Sequence, residues 1–257
     1  MNENFVRTIK FWCMIGSILI TIIIAGILIF KYNIEGEKKM PYKLSKINII
    51  STAEGIEDTL DETDQNTWNL KILQNNDVFF TIDKTEFAKD NNELKGVRIE
   101  NIQVVKKPKL GSTRIFMPNS VEGKLYNYTN DYIVNSTLQY NGAEKNNPKT
   151  LEISKNGGIA LISFVNSEIG SFKSSEKNIE IKHDATLIPK INDLTNYSGI
   201  LSEDLKFSVQ FDLVIKIDNN EYKGTVKLDL PNEDILTNGK STLEINDFSK
   251  VVFKRTN

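Results

Sequence analysis

The chain has 257 residues, of which 39% are hydrophobic, and its formal net charge at pH 7 is −2. This length is enough to bury a core, as one large domain or as two small ones. Charges of both signs are spread along the chain without a recurring basic face, which argues against a nucleic-acid surface. The single cysteine, Cys13, excludes a disulfide-held scaffold and most kinds of zinc site.

The first element is an uninterrupted apolar segment near the amino terminus. No charged residue lies between Lys10 and Lys31, and a helix over residues 11–30 would be about 30 Å long, the thickness of a bilayer's hydrocarbon core. A cleavable signal has an apolar region of only about 7–15 residues followed by a small-residue cleavage site, whereas this segment ends in bulky residues. We therefore predict an uncleaved transmembrane anchor at 11–30, preceded by a short cytoplasmic tail at 1–10.

The basic residues that flank the anchor conflict over its orientation. Arg7 and Lys10 precede it and five lysines follow it within residues 31–46, so a plain count places the large domain in the cytoplasm. However, only Lys31 is close to the end of the anchor, and long domains cross the membrane largely regardless of charge. We predict a single-pass protein of the cell membrane with its large C-terminal domain outside the cytoplasm.

Residues 31–46 are polar and rich in lysine, which predicts a solvated juxtamembrane linker before a β-rich region at 47–257. In the alternative interpretation, these lysines lie against anionic headgroups and contribute about 1 kcal/mol each. The next stretch is acidic, but Asp58, Asp61 and Asp64 are three residues apart and lack the glycine that an EF-hand loop needs. We therefore predict no metal site there.

Beyond the linker, apolar residues recur with a period of two, which is typical of half-buried strands. The clearest case is the segment 205–230. A two-residue turn at Asn219-Asn220 would make this segment a hairpin and set Phe211 opposite Leu228, with apolar side chains facing one another throughout.

Two further hairpins are predicted. In residues 69–83, a loop at Asn75-Asn76-Asp77 would set Ile72 opposite Phe80. In residues 150–165, an Asn-Gly turn precedes an arm that is apolar on both faces and therefore predicts a central strand. Other strands are predicted at 46–51, 97–105, 114–117, 179–187, 243–245 and 251–254.

Many antiparallel strands with short turns, and no long helical period after the anchor, indicate a mainly β fold. We predict an N-terminal transmembrane helix followed by an antiparallel β-sandwich, built as one large domain or two small ones. If there are two, the weak boundary between them falls in the stretch 119–148, which is rich in asparagine and tyrosine.

A search by residue type finds no catalytic motif. The single histidine, His183, is in phase with the apolar face of a strand, which is typical of a buried histidine, and no nucleophile elbow or phosphate-binding loop is present. Paired carboxylates of the glycosidase kind follow no local spacing rule, so this class stays open. We predict no catalytic residue, no metal and no cofactor.

The best candidate for a binding surface is aromatic. Four tyrosines lie among Asn, Thr and Asp residues where strand punctuation is weakest: Tyr126, Tyr128, Tyr132 and Tyr140. Tyrosine combines a flat apolar face with a polar tip, which suits a protein or glycan partner. In the alternative interpretation, these tyrosines cap the core beneath an irregular connection.

Taken together, these patterns predict a membrane-anchored envelope protein whose non-catalytic β domain binds another envelope protein or a glycan. The alternative is a membrane-tethered, carboxylate-dependent hydrolase that acts on cell-wall glycans. A hydrolase would require a cleft with carboxyl groups whose pKa values are pushed apart, whereas a binding module would expose an aromatic or apolar patch.

Overall fold

A computed structural model describes residues 3–57, 69–116, 119–121, 124–127, 137–141, 153–173, 200–231 and 235–256. The chain begins with the long helix α1 (Glu3–Glu35). Its part from Lys10 to Glu35 is long and apolar enough to cross a membrane, judged by length and composition, and none of it is buried against the rest of the protein. The predicted apolar helix is therefore confirmed, and it continues past the predicted end of the anchor.

The first sheet has seven strands: β1 (Tyr42–Glu57), β2 (Asn69–Lys84), β4 (Ser112–Phe116), β8 (Ile153–Ser154), β9 (Gly157–Ser167), β10 (Ser171–Lys173) and β13 (Lys240–Ile245). Five of them follow the order β13-β1-β2-β9-β4, while β10 pairs with β2 and β8 pairs with β9. All of these pairings are antiparallel.

The second sheet has five strands: β3 (Leu94–Lys106), β7 (Thr137–Asn141), β11 (Phe207–Ile217), β12 (Asn220–Leu230) and β14 (Lys254–Arg255). Their order is β14-β12-β11-β3-β7, and these pairings are also antiparallel. A separate pair consists of β5 (Asn119–Val121) and β6 (Lys124–Asn127). The described helices after α1 are single turns, α2 (Ser202–Leu205) and α3 (Ile235–Asn238). The predicted mainly β, antiparallel region is confirmed.

Both sheets contribute alternate side chains to one buried apolar cluster. Ile47, Phe80 and Phe164 come from the first sheet, and Phe211 and Leu213 from the second. The rings of Phe80 and Phe211 meet edge to face, with their centroids 5.4 Å apart, a geometry that aromatic pairs prefer. A smaller apolar cluster lies further along β1 and β2 and contains Ala53, Ile72, Ile169, Leu205, Ile235 and Leu236.

The hairpin of β11 and β12 is confirmed, but its predicted register is wrong. The turn begins at Asp218, one residue earlier than predicted, so Phe211 pairs with Val226 rather than with the residue two positions further on. The Asp218 carboxylate accepts hydrogen bonds from the Glu93 amide at 2.9 Å and from the side chain of Asn92 at 2.7 Å. A shift of two residues leaves every side chain on its own face, so the apolar pattern could not distinguish the two registers.

The predicted hairpin in residues 69–83 is wrong, because β2 runs through this segment as one strand. The residues of the expected loop, 75–77, are buried inside the sheet. Asn76 accepts a hydrogen bond from the Ser51 hydroxyl at 2.8 Å and donates one to the Phe164 carbonyl at 3.2 Å. Because buried polar groups are tolerated when they are hydrogen-bonded, asparagine can occupy the middle of this strand.

The third predicted hairpin is confirmed. β8 and β9 pair across a turn at residues 155–156, and β9 lies between β2 and β4 as a central strand. The predicted strand at 179–187, with His183, lies outside the described residues. So does the acidic stretch that contains Asp58, Asp61 and Asp64.

The predicted linker at 31–46 is wrong at both ends. α1 continues to Glu35 and β1 begins at Tyr42, so only residues 36–41 connect them. Met40 and Tyr42 belong to the apolar cluster, with exposed fractions of 6% and 0%. A β-bulge between Leu44 and Lys46 shifts the alternation, which conceals the start of the strand in the sequence.

The weak boundary suggested within 119–148 does not separate the sheets. The first sheet combines β1 and β2 with β9 and β13, and the second combines β3 with β11 and β12. Each sheet is therefore built from strands on both sides of that stretch.

The contact between the two sheets yields a stability prediction. Phe211→Ala removes the ring that meets Phe80, and the expected loss is about 3–5 kcal/mol in the free energy of unfolding. Lys227→Ala, on the exposed face of β12, is expected to change it by less than about 0.5 kcal/mol. Urea unfolding of the full chain in detergent measures both, and similar losses for the two variants would contradict the assignment of faces.

Candidate functional site at the helix–sheet junction

The end of α1 is docked directly on the segment 248–256. The Gly36 amide donates a hydrogen bond to the Tyr32 carbonyl at 2.8 Å, which closes the helix. The next amide, that of Glu37, donates to the Phe253 carbonyl at 2.7 Å. In return, the Arg255 amide donates to the Tyr32 hydroxyl at 2.8 Å. Bonds in both directions therefore join the helix to this segment.

The segment 248–256 is in turn bound to the second sheet. Its strand β14 pairs with β12 at Tyr222 and Lys223, and the Thr256 amide donates to the Glu221 carbonyl at 2.9 Å. Burial raises the pKa of the Tyr222 hydroxyl, and the Glu37 carboxylate adds to the rise. The helix is thereby connected to the sheet through one short segment.

Gly36 makes the close approach of helix and segment possible. Its φ is +68°, a left-handed conformation that glycine adopts without steric cost. A Cβ atom at this position would lie 2.3 Å from the Phe253 carbonyl oxygen and 2.8 Å from Cγ1 of Val252. A residue with a side chain would therefore strain the backbone and push the segment away.

Hydrogen bonds of Tyr42 and Thr85 hold the start of β1. The buried Tyr42 hydroxyl donates to the Lys155 carbonyl at 2.7 Å and lies 3.0 Å from that of Asn92. The Thr85 hydroxyl donates to the Met40 carbonyl at 2.6 Å, and the Thr85 amide to the Pro41 carbonyl at 2.9 Å. Residues 36–41 are thus fixed at both ends, which leaves little freedom between helix and sheet.

A cavity of about 340 Å³ opens at this junction. Its polar lining is Glu35, Glu37, Lys38, Lys43, Thr85 and Glu86, and its apolar lining is Met40, Leu44, Phe87, Phe248, Val251 and Phe253. Glu35 and Lys38 form an ion pair at 2.8 Å, while Lys43 and Glu86 are exposed. The Phe87 side chain is 40% exposed. The cavity therefore combines charges of both signs with an accessible apolar wall, a composition found in small-ligand sites.

A second polar surface lies on the outer face of the second sheet. The Arg98 guanidinium donates to Glu100 at 2.8 Å and to Glu221 at 3.1 Å. These bonds lower the pKa of both carboxyl groups. Burial acts to raise the pKa of Asp212, but hydrogen bonds from Asn101 and Thr225 outweigh it and the pKa is lowered.

The pKa is also lowered at other carboxyl groups outside α1. Eight such groups have a lowered pKa: Glu93, Glu100, Glu203, Asp204, Asp212, Glu221, Glu244 and Asp247. A general acid of a glycosidase needs a raised pKa instead. The described residues also contain no group of three His, Cys, Asp or Glu side chains placed to hold a metal ion.

The predicted aromatic surface is only partly described. Tyr126 lies in β6, which pairs with β5. Tyr140 lies in β7 opposite Val97, at the edge of the second sheet as far as the described strands extend. Tyr128 and Tyr132 lie outside the described residues. The structure therefore places the two described tyrosines in different sheets, and their binding role stays a prediction.

The junction itself was missed by the sequence interpretation. The sequence pattern that could have indicated it is the alternation of Met40, Tyr42 and Leu44 at the start of β1. This alternation is short and is broken by the bulge. The predicted strand at 251–254 identified part of the docking segment, but nothing local connects that segment with Tyr32. Their hydrogen bond spans 223 positions of the chain.

Comparison of the chain with protein-family models, with curated proteins and with solved structures finds no match.

The crowding at Gly36 predicts that Gly36→Ala opens the junction. Hydrogen exchange at the Glu37 and Arg255 amides is expected to accelerate by at least about tenfold, which corresponds to about 1.4 kcal/mol. Gly26→Ala is the matched control, because a Cβ atom there meets nothing within 4 Å. Unchanged exchange at both amides in Gly36→Ala would contradict the docked arrangement.

Proposed function

We propose that the protein is a single-pass, membrane-anchored envelope protein with a non-catalytic β domain outside the cytoplasm that binds another envelope component. The observation that carries this proposal is the docking of α1 on the segment 248–256 through Tyr32, Glu37 and Phe253. A helix that enters the bilayer and ends in fixed contacts with the domain would hold that domain at a set distance from the membrane. This arrangement suits a protein that presents a binding surface to a partner at the cell envelope.

In this proposal, residues 1–10 form the cytoplasmic tail, residues 11–30 cross the hydrocarbon core, and the two sheets pack as a β-sandwich beyond it. The five helical residues after Phe30 extend about 7.5 Å further. The headgroup layer on each side of the bilayer is about 5–8 Å thick. The end of α1 at Glu35 would therefore lie at the outer limit of the headgroups, and the segment 248–256, which contacts Tyr32, would lie beside the last turn of the helix.

The proposed partner surface includes Tyr126, Tyr128, Tyr132 and Tyr140, and the proposed partner is an envelope protein or a glycan. Support for this surface comes from β7, which carries Tyr140 and is the last strand of the second sheet among the described strands. An edge strand presents backbone donors and acceptors that a partner strand can pair with. Tyrosine side chains would add apolar contact area and hydrogen bonds.

The alternative function is a tethered hydrolase of cell-wall glycans that uses paired carboxylates. It would require one carboxyl group with a raised pKa in a cleft. The eight carboxyl groups named above have lowered pKa values, and none of these eight therefore favours a glycosidase acid over an interaction domain.

The proposed side of the membrane can be tested by labelling. In a Cys13→Ser background, a unique cysteine at the exposed position Lys227 is expected to react with an impermeant maleimide in intact cells, or in protoplasts if a wall intervenes. A cysteine at Asn4, in the proposed cytoplasmic tail, serves as the matched control and is expected to react only after lysis. The reverse pattern would reject the assignment of the β domain to the outside.

The proposed binding role can be tested by crosslinking in whole cells, with partners identified by mass spectrometry. A binding surface of solvent-facing tyrosines predicts that replacing all four by alanine removes the crosslinked partner and leaves the melting temperature nearly unchanged. Lys227→Ala is the control and should retain the partner. A large loss of stability with no selective loss of the partner would instead assign the tyrosines to the core.

A further inference from the structure

The cavity at the junction lies at the end of α1, next to the proposed membrane anchor. It is lined by Glu35, the last residue of α1, and by Phe87 and Phe248 of the β domain. If residues 11–30 cross the hydrocarbon core, the cavity opens within or just above the headgroup layer, about 5–8 Å thick, on the side of the β domain. The inference below therefore rests on the proposed membrane anchor.

The positive and negative charges that line the cavity do not balance, because the carboxylates outnumber the ammonium groups. The lining contains three carboxylates, those of Glu35, Glu37 and Glu86, and two ammonium groups, those of Lys38 and Lys43. The Lys38 ammonium is bound by Glu35 at 2.8 Å. This leaves one lysine, Lys43, and two glutamates as the remaining charged groups of the lining.

The apolar part of the lining is accessible as well. Phe87 is 40% exposed, and Phe248, Val251 and Phe253 are only partly buried. The loop that carries Phe87 is fixed by hydrogen bonds, because the Thr85 hydroxyl accepts from the Phe87 amide at 3.2 Å and donates to the Met40 carbonyl. An apolar wall held in this way can contact the glycerol and the first carbons of a lipid without a further cost of ordering.

We propose that this cavity binds the headgroup of one amine-bearing phospholipid from the leaflet in which α1 ends. The phosphate pairs with the Lys43 ammonium, and the headgroup amine pairs with the Glu86 and Glu37 carboxylates. The glycerol region lies against Phe87 and Phe248. The volume of about 340 Å³ is at the lower end of the range of about 300–1,000 Å³ that is common for small-molecule sites.

The charge set favours an amine-bearing headgroup over an anionic one. A phosphodiester without an amine would pair with Lys43 but would bring its negative charge close to Glu37 and Glu86, and such like-charge contacts are unfavourable. A quaternary choline headgroup carries the positive charge but has no N–H to donate. A primary amine supplies both the charge and the hydrogen bonds that a carboxylate accepts, and charge-assisted hydrogen bonds of this kind are the stronger ones.

The test uses the full chain, purified in detergent and titrated with three lipids that share the same acyl chains: phosphatidylethanolamine, phosphatidylcholine and phosphatidylglycerol. Native mass spectrometry counts the lipids retained on the protein. Phosphatidylethanolamine is expected to be retained at concentrations at least about tenfold lower than the other two, equivalent to about 1.4 kcal/mol. Lys43→Glu and Glu86→Lys are each expected to abolish this preference, while Lys227→Glu, which does not line the cavity, is expected to keep it.

Equal retention of the three lipids would overturn the inference, and so would a preference that survives in either cavity variant. Neither result affects the proposed anchor, which is tested separately by washing cell membranes with alkaline carbonate. An integral protein stays with the membrane in that wash. Release of the chain would overturn the anchor, and with it the proposed function.

Discussion

The arrangement of α1 and the β domain depends on the hydrogen bond from the Glu37 amide to the Phe253 carbonyl. It joins the end of the apolar helix to a segment that is itself paired with β12. The left-handed conformation of Gly36, the short connection to β1 and the cavity at the junction all require this close approach. Together with the bond from the Arg255 amide to the Tyr32 hydroxyl, the hydrogen bond at Glu37 joins the helix and the β domain.

A fixed junction limits how the β domain can move relative to α1. A flexible linker of 16 residues would let its ends separate by about 20–24 Å on average, so the domain could present any of its faces to a partner. In the docked arrangement, six residues connect α1 to β1, and hydrogen bonds at Tyr42 and Thr85 hold the start of that strand. The orientation of the sheets relative to the helix axis is then set by these contacts.

Much of the fold could be predicted from the sequence, because strand formation leaves a local signal. The alternation in residues 205–230 predicted the hairpin of β11 and β12, and apolar residues on both faces predicted that β9 is central. The register of the hairpin escaped prediction, since a shift of two residues preserves each face and the turn is selected by contacts of Asp218 with Asn92 and Glu93. The continuity of β2 was not predicted either, because the side-chain amide of Asn76 is hydrogen-bonded to residues of other strands.

The candidate site could not be predicted from the sequence, because it is made by contacts between distant parts of the chain. The lysine-rich composition of residues 31–46 is typical of a solvated linker. The bulge between Leu44 and Lys46 conceals the strand that begins at Tyr42. The bond between Tyr32 and Arg255 has no local signature. The aromatic stretch has a clear local signal in its tyrosine-rich composition, but the structure places Tyr126 and Tyr140 in different sheets.

The central claim, that the helix and the β domain form one rigid unit, can be tested by a distance measurement. Nitroxide labels on cysteines at Lys31 in α1 and Lys227 in β12, in a Cys13→Ser background, report their separation in bilayer nanodiscs by pulsed electron spin resonance. A rigid junction gives a single narrow distance distribution, as narrow as that between Lys227 and Lys240 within the domain. A distribution broadened over about 20 Å or more, as a flexible linker of 16 residues would produce, would contradict it.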